Sequence, residues 1–370
     1  MTQHRPLAGI SEAIRNFDFW GTLLDFRPFG NGHINDTFLV RFRFEGKVRK
    51  YILQRINKGV FHQPQQVMEN ILGVTRFLRE KILAAGGDPE RETLNVIKTK
   101  DKKPFHVDGY GDYWRAFVFI ADAVSLDQPE DENDFYQSAV AFGNFQRMLG
   151  DYPADTLFET IPDFHNTPVR YQNLMRAVER DAVGRRHQVE HLIDFARQRQ
   201  DFTQVLEQAY ARGELPKRVT HNDTKLNNVM LDKDTREPVC VVDLDTIMPG
   251  YSVNDFGDSI RFGARTGAED ERDLANVNFD LHLFETYTRG FLKGCGGTLT
   301  PQEIRLLPEG AKMMTLECGM RFLTDYLEGD VYFKIHSPDH NLVRCMNQFK
   351  LVEDMEANWD AMKAIVEKYC

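Results

Sequence analysis

The stretch RVTHNDTKLNNVMLDKDTREPVCVVDLDTIMPG, residues 218–250, decides the reading of this chain. Within it, His221-Asn222-Asp223-Thr224-Lys225-Leu226-Asn227-Asn228 sets an aspartate and an asparagine five residues apart, with the short strand pattern NVMLD directly after. A second apolar run, CVV, leads into Asp243, fifteen residues beyond Asn228, and Asp245 lies two residues on. Phosphoryl transfer from ATP calls for such a set. One carboxylate takes the proton of an attacking hydroxyl, while an amide and a second carboxylate hold Mg²⁺ against the triphosphate oxygens. A lone His-x-Asp in a polar loop would be only an Asx-turn. The full set, Asp223, Asn228 and Asp243 with strands between them, is far more specific.

Working outward toward the amino end, the chain reads mainly as strands. TFLVRFRF carries Phe38, Val40, Phe42 and Phe44 at period two, and Glu45-Gly46-Lys47 turns it into VRKYILQRI. That is a hairpin with one buried face. TLLDFRPF precedes it and leads into Gly30-Asn31-Gly32. Val67, Ile71, Val74, Leu78 and Ile82 then recur at helical spacing, from Pro64 to a stop at Gly86-Gly87-Asp88-Pro89. Two more strands are expected at Thr93–Lys100 and Tyr113–Phe119. Beyond Ile120 the spacing becomes helical, as in Phe135, Ala139, Phe142 and Phe145 or Phe279, Leu283, Tyr287 and Phe291. The charged run RDAVGRRHQVEHLIDFARQRQ reads as the solvated face of a helix. The expectation is an α+β chain of two lobes. Residues 1–120 form a small antiparallel β-rich lobe with one helix, and residues 121–370 form a larger helical lobe bearing the catalytic loop.

The pattern His221-x-Asp223-x-x-x-x-Asn228 followed by Asp243 resembles the catalytic loop of the protein-kinase-like fold, and more closely its small-molecule branch, the aminoglycoside phosphotransferase and choline kinase superfamily. The resemblance implies ATP as phosphoryl donor and Mg²⁺ as cofactor. It implies Asp223 as base, Lys225 beside the transferred phosphate, and Asn228 and Asp243 as metal ligands. Gly30 and Gly32 would belong to the loop over the nucleotide phosphates, because strand, glycine loop and strand is the kinase order, whereas a dinucleotide site needs a helix there. Phe119, Ile120 and Ala121 would meet the adenine edge. THNDTKLNN, DLDTIMPG, DFGDSIRFGA and ECGMRFLTDYLEGDVYF look like the members that phosphorylate the anomeric hydroxyl of N-acetylhexosamines. By that likeness His33, Asp223, Arg321 and Tyr332 would bind the sugar. Arg321 and Asp325, four apart on a helix, are equally consistent with a plain ion pair.

Two departures stand out. Kinases carry a strand lysine that touches the phosphates and pairs with a helix glutamate, but the matching position in KYILQRI is Gln54. Asp255-Phe256-Gly257 spells a kinase metal motif, yet Asp243 is the aspartate that follows a strand. Asp255 and Asp258 are therefore expected at a helix start, as cap and acidic first turn, with support of the catalytic loop by Asp255 as the next choice.

Composition narrows the function classes. Lys plus Arg number 46 against 56 Asp plus Glu, a net charge of −10, which disfavours nucleic-acid and membrane-surface partners. No apolar run reaches the length of a spanning helix, and five scattered cysteines form no paired motif. A cytoplasmic enzyme acting on a small sugar is the expectation, with oligomeric state open. A kinase for an aminoglycoside, choline or homoserine, and a catalytically silent ATP-binding scaffold, are the alternatives.

Overall fold

Alternation along TFLVRFRF does build a hairpin. β1 (Thr22–Pro28), β2 (Asp36–Phe44) and β3 (Lys47–Arg55) pair antiparallel in sequence. Glu45 and Gly46 both take positive φ, 50° and 76°, the two-residue turn whose twist suits a tight hairpin. The computed structural model describes residues 8–30 and 34–369. They divide into two compact units, the first running to Val124 and adding Asp155–Pro162 and Val239–Met248, the second holding the rest.

In the first unit the chain begins with α1 (Ala8–Asn16), which the sequence reading missed. Ile10, Ala13 and Ile14 of α1 and Phe17 just beyond it cover the face of the sheet carrying Val40, Phe42, Tyr51, Leu53, Trp114 and Ala116. α2 (Pro64–Ala84) and α3 (Pro89–Glu92) follow, then β4 (Val96–Ile97), β5 (His106–Val107), β6 (Tyr113–Val118) and β7 (Ala123–Val124). The strand order is β1-β2-β3-β6-β4, all antiparallel, with β5 also on β6. Of the strand expected at Thr93–Lys100, Val96 and Ile97 pair with β6 and Thr99 makes a single bridge to Phe17. Period two puts Gln54 and Arg115 on the face opposite α1, and the register aligns them directly.

The second unit is mostly helical: α4 (Glu132–Met148), α5 (Thr167–Arg180), α6 (Glu190–Arg197) and α7 (Val205–Ala211) come first. The strands β8 (Arg218–Thr220) and β9 (Val229–Asp232) flank the loop His221–Asn228. β10 (Pro238–Val241) carries the chain into the first unit, and β11 (Met248–Gly250) brings it back. Then come α8 (Ser252–Gly263), α9 (Leu281–Cys295), α10 (Pro301–Arg305), α11 (Leu307–Glu328), α12 (His340–Ala357) and α13 (Trp359–Lys368). α4 and α9 approach so closely that a Cβ on Gly143 would sit 2.2 Å from the Phe291 carbonyl oxygen. The charged run at 180–200 is not one solvated helix face. It breaks after α5, and Val189, Leu192, Ile193 and Ala196 pack with Leu316, Met320 and Leu323 of α11. The architecture is thus α+β, an antiparallel sheet in one lobe and a helical second lobe, as expected.

Candidate active site

The candidate catalytic loop, His221–Asn228, lies in the second unit and is shaped by two carboxylates of α8. Asn222 takes φ +63°, folding the chain back after β8. That bend points the His221 and Asn222 amides at Asp255, which accepts both at 2.9 and 2.8 Å along with the Gln146 side-chain amide at 2.8 Å. Thr224 N–H donates to Asp258 Oδ2 at 2.9 Å, and the Thr224 hydroxyl donates to the Asp255 carbonyl at 2.6 Å. Ser259 donates to Thr224 O and itself accepts from the Tyr287 hydroxyl. His221 is fully buried between Phe142 and Phe145. The loop is therefore held by backbone donors converging on buried acceptors, which fixes it more firmly than side-chain packing alone.

Into this frame the loop sets Asp223. Its Oδ1 lies 3.0 Å from Lys225 Nζ, and Asn228 Nδ2 reaches its Oδ2 at 3.2 Å and its carbonyl at 2.7 Å. A 3-10 turn at Leu226–Asn228 brings the asparagine back toward the aspartate. With its nitrogen spent on Asp223, the Asn228 Oδ1 accepts no hydrogen bond from a described residue. An amide oxygen left outward in this way suits a hard cation. Asp243 lies in the first unit, immediately past β10, at φ +59°. Among the described residues no group of three or more His, Cys, Asp or Glu side chains is placed to hold a metal.

A cavity of about 350 Å³ opens in the second unit between α5 and α11. Arg321 and Tyr332, both expected at the substrate, line it, together with Arg170, Asn173, Arg176, Arg180 and Phe333. The three arginines of α5 were missed, although RYQNLMRAVER spaces them along one amphipathic helix. Arg321 makes no ion pair with Asp325. Its guanidinium lies 5.6 Å from the ring centres of Phe164 and Phe333, while Asp325 accepts the backbone amides of Val331, Tyr332 and Phe333 and so shapes the loop after α11. Burial, then the neighbouring Arg321 charge, pushes the Arg170 guanidinium below its ordinary range.

His165 ties this cavity to the loop. Its Nε2 lies 3.1 Å from the Asn222 carbonyl and its Nδ1 2.8 Å from Glu317, one turn before Arg321. Both partners are acceptors, so only the doubly protonated ring satisfies both. Burial works against that charge, but the Glu317 carboxylate outweighs it and the imidazole pKa rises. Glu317 falls below the usual carboxylate range despite its burial, held by His165 and by a bond from Thr167.

In the first unit, Gln54 donates to Thr37 at 3.0 Å and accepts from Arg115 at 2.9 Å, so its amide is engaged within the sheet. Ile120 and Ala121 lie two and three residues beyond β6. Phe119 donates its amide to Lys50 and meets the Phe29 ring edge-on. Gly30 takes φ +76°, a conformation that favours glycine. Gly32 and His33 lie outside the described residues.

Asp255 stands in the acidic first turn of α8, as expected, but is not its cap. The residue before α8 is Tyr251, with no side-chain cap. Asp255-Phe256-Gly257 instead divides its labour inside the second unit. Asp255 braces the loop, Phe256 is fully buried, and Gly257 lets α11 approach, since a Cβ there would meet the Gly310 carbonyl oxygen at 2.2 Å.

Residues 25–290 match the family model described as the phosphotransferase enzyme family. Among solved structures the chain resembles an aminoglycoside phosphotransferase from Alicyclobacillus acidocaldarius, with TM-score 0.65 and 13% identity over 100% of this chain and 98% of that one. A microcompartment-associated aminopropanol kinase gives TM-score 0.62 at 16% identity, covering 97% and 99%. A choline kinase from Cryptosporidium parvum gives 0.56 at 13%, covering 91% and 90%.

Proposed function

The chain belongs to the phosphotransferase enzyme family, and from that premise we propose that it is an N-acetylhexosamine 1-kinase, moving the γ-phosphoryl group of ATP to the anomeric hydroxyl of GlcNAc or GalNAc. The observation that carries this reading is Asp223, its carboxylate braced between Lys225 and Asn228 in the same unit as an arginine-lined cavity. Asp223 takes the proton of the anomeric hydroxyl, which is more acidic than an ordinary alcohol, as its oxygen attacks phosphorus in line. Lys225 offsets charge on the moving phosphoryl group. Asn228 would hold Mg²⁺ in this unit, and Asp243 is the further ligand that the family resemblance implies; the ion, when bound, draws charge from the phosphate oxygens. The sugar 1-phosphate and ADP are the products.

The cavity separates acceptor classes. Four arginines face it; of the two carboxylates beside them, Asp325 is committed to backbone amides and Glu328 lies 3.4 Å from Arg180. Such a field repels aminoglycosides, choline and other amines. Guanidinium forks instead suit hydroxyls and an acetamido oxygen, with Tyr332 as a face for the sugar ring. Homoserine stays a second reading because its carboxylate would also pair with arginine.

Phosphorus NMR after incubation with ATP and N-acetylhexosamine, homoserine or choline in parallel decides among them. A signal split by the anomeric proton, with loss of the reducing end, supports the 1-kinase. A 6-phosphate that retains its reducing end, or turnover with an amine alone, would overturn it.

A further inference from the structure

Gln54 stands where kinases carry a strand cation, yet the first unit buries a cation one strand away. Arg115 of β6 is the residue paired with Gln54 across the sheet and is only 1% exposed. Its Nε donates to Gln54 Oε1, and its terminal nitrogen forms an ion pair with Asp245. Asp245 stands two residues after Asp243. Its other oxygen accepts from Asn35 at 2.6 Å, at the exit of the glycine-rich loop, and Asn35 in turn accepts the Asn57 amide at 3.0 Å. From α2, Asn70 donates to the Ile247 carbonyl at 2.9 Å and so anchors the same segment from the other end. The helix glutamate Glu69 is exposed and makes no ion pair among the described residues.

We propose that Arg115 is the positioning residue that takes over from the missing strand lysine, and that it acts by fixing Asp245 and through it the metal-ligating Asp243. In the usual arrangement a lysine–glutamate pair ties strand to helix. Here the pair ties strand directly to the segment that bears the metal ligand, and the same carboxylate ties in the glycine-rich loop. A buried charge pair of this kind holds geometry well, because removing one partner strands the other without solvent. The inference rests on the phosphotransferase reading of the site, and it places the effect of Arg115 on metal-dependent nucleotide affinity.

The test is ADP affinity by calorimetry, with and without Mg²⁺, for wild type, Arg115→Lys, Arg115→Met and Arg115→Met with Gln54→Lys, each checked for native melting. Arg115→Met should lose about tenfold or more of the Mg²⁺-dependent affinity and little of the Mg²⁺-independent part. Lysine at either position should recover most of it, since an ammonium there reaches Asp245. Where Arg115→Met fails to fold, Arg115→Met with Asp245→Asn removes both charges together and should fold while still losing the Mg²⁺ dependence. A folded Arg115→Met that binds Mg²⁺ and ADP like wild type overturns the inference, as does a Gln54→Lys variant that restores melting but not affinity. Absence of any nucleotide binding by wild type instead removes the phosphotransferase reading beneath it.

Discussion

At the scale of single residues, Asp223 and His165 carry opposite kinds of legibility. Asp223 was readable because the role proposed for it needs a fixed spacing to Asn228, and spacing is what a sequence displays. Asp223→Asn keeps the shape and removes the proposed base, so kcat should fall about 10²–10⁴-fold while ADP affinity changes little. Steady-state rates beside an ADP titration check this. His165 gave no local signal, because its partners Asn222 and Glu317 are distant in sequence. It faces Glu317 and Asp258, which raise its pKa, and Arg321, which opposes them. A raised folded value means its stabilisation is complete below the ordinary imidazole value of 6.5 and fades as pH climbs through the folded one. Urea midpoints of wild type should therefore decline above neutrality more steeply than those of His165→Gln. Parallel pH profiles for the two proteins would refute the imidazolium assignment.

At the scale of elements, α8 shows how the same letters serve another purpose. Asp255 accepts two backbone amides and one side-chain amide, all buried. Deleting its carboxylate in Asp255→Ala leaves those donors unpaired and should cost about 3 kcal/mol or more, read as a lower urea midpoint with loss of turnover. Gly257→Ala forces α8 from α11, and overpacking of this kind costs about 1–3 kcal/mol or more. That variant should melt earlier yet retain the proposed Mg²⁺ dependence, the opposite of what a metal motif predicts. The hairpin of β2 and β3 was legible from alternation, whereas β4 was overdrawn, because a short apolar run does not say how many of its residues find a partner strand. α1 was missed for want of a long periodic run, since only nine residues form it.

At the scale of the whole molecule, paired buried carboxylates set the acid limit of the fold. Glu303 lies against Arg218, Glu317 against His165 and Asp258 against Arg261, and each is held below the usual carboxylate range against the opposing effect of burial. Depressed values contribute stability above the ordinary carboxylate range, and it disappears as pH falls through the folded values. Urea midpoints should therefore drop steeply below about pH 4. Nucleotide binding adds to stability. ADP with Mg²⁺ at about 100 times its dissociation constant should add about 2.7 kcal/mol, visible as a melting shift of a few degrees. No described helix is long and apolar enough to cross a membrane.

The sequence by itself determined the lobe order, the hairpin and the Asp223–Lys225–Asn228 loop, because these depend on alternation, helical period and spacing within one short segment. Only the tertiary structure decided that Arg115 stands beside Gln54, that Asp255 supports the loop, and that arginines of α5 share a cavity with Arg321. Those relations join residues tens to more than a hundred positions apart, and packing, not local propensity, chooses which of them meet.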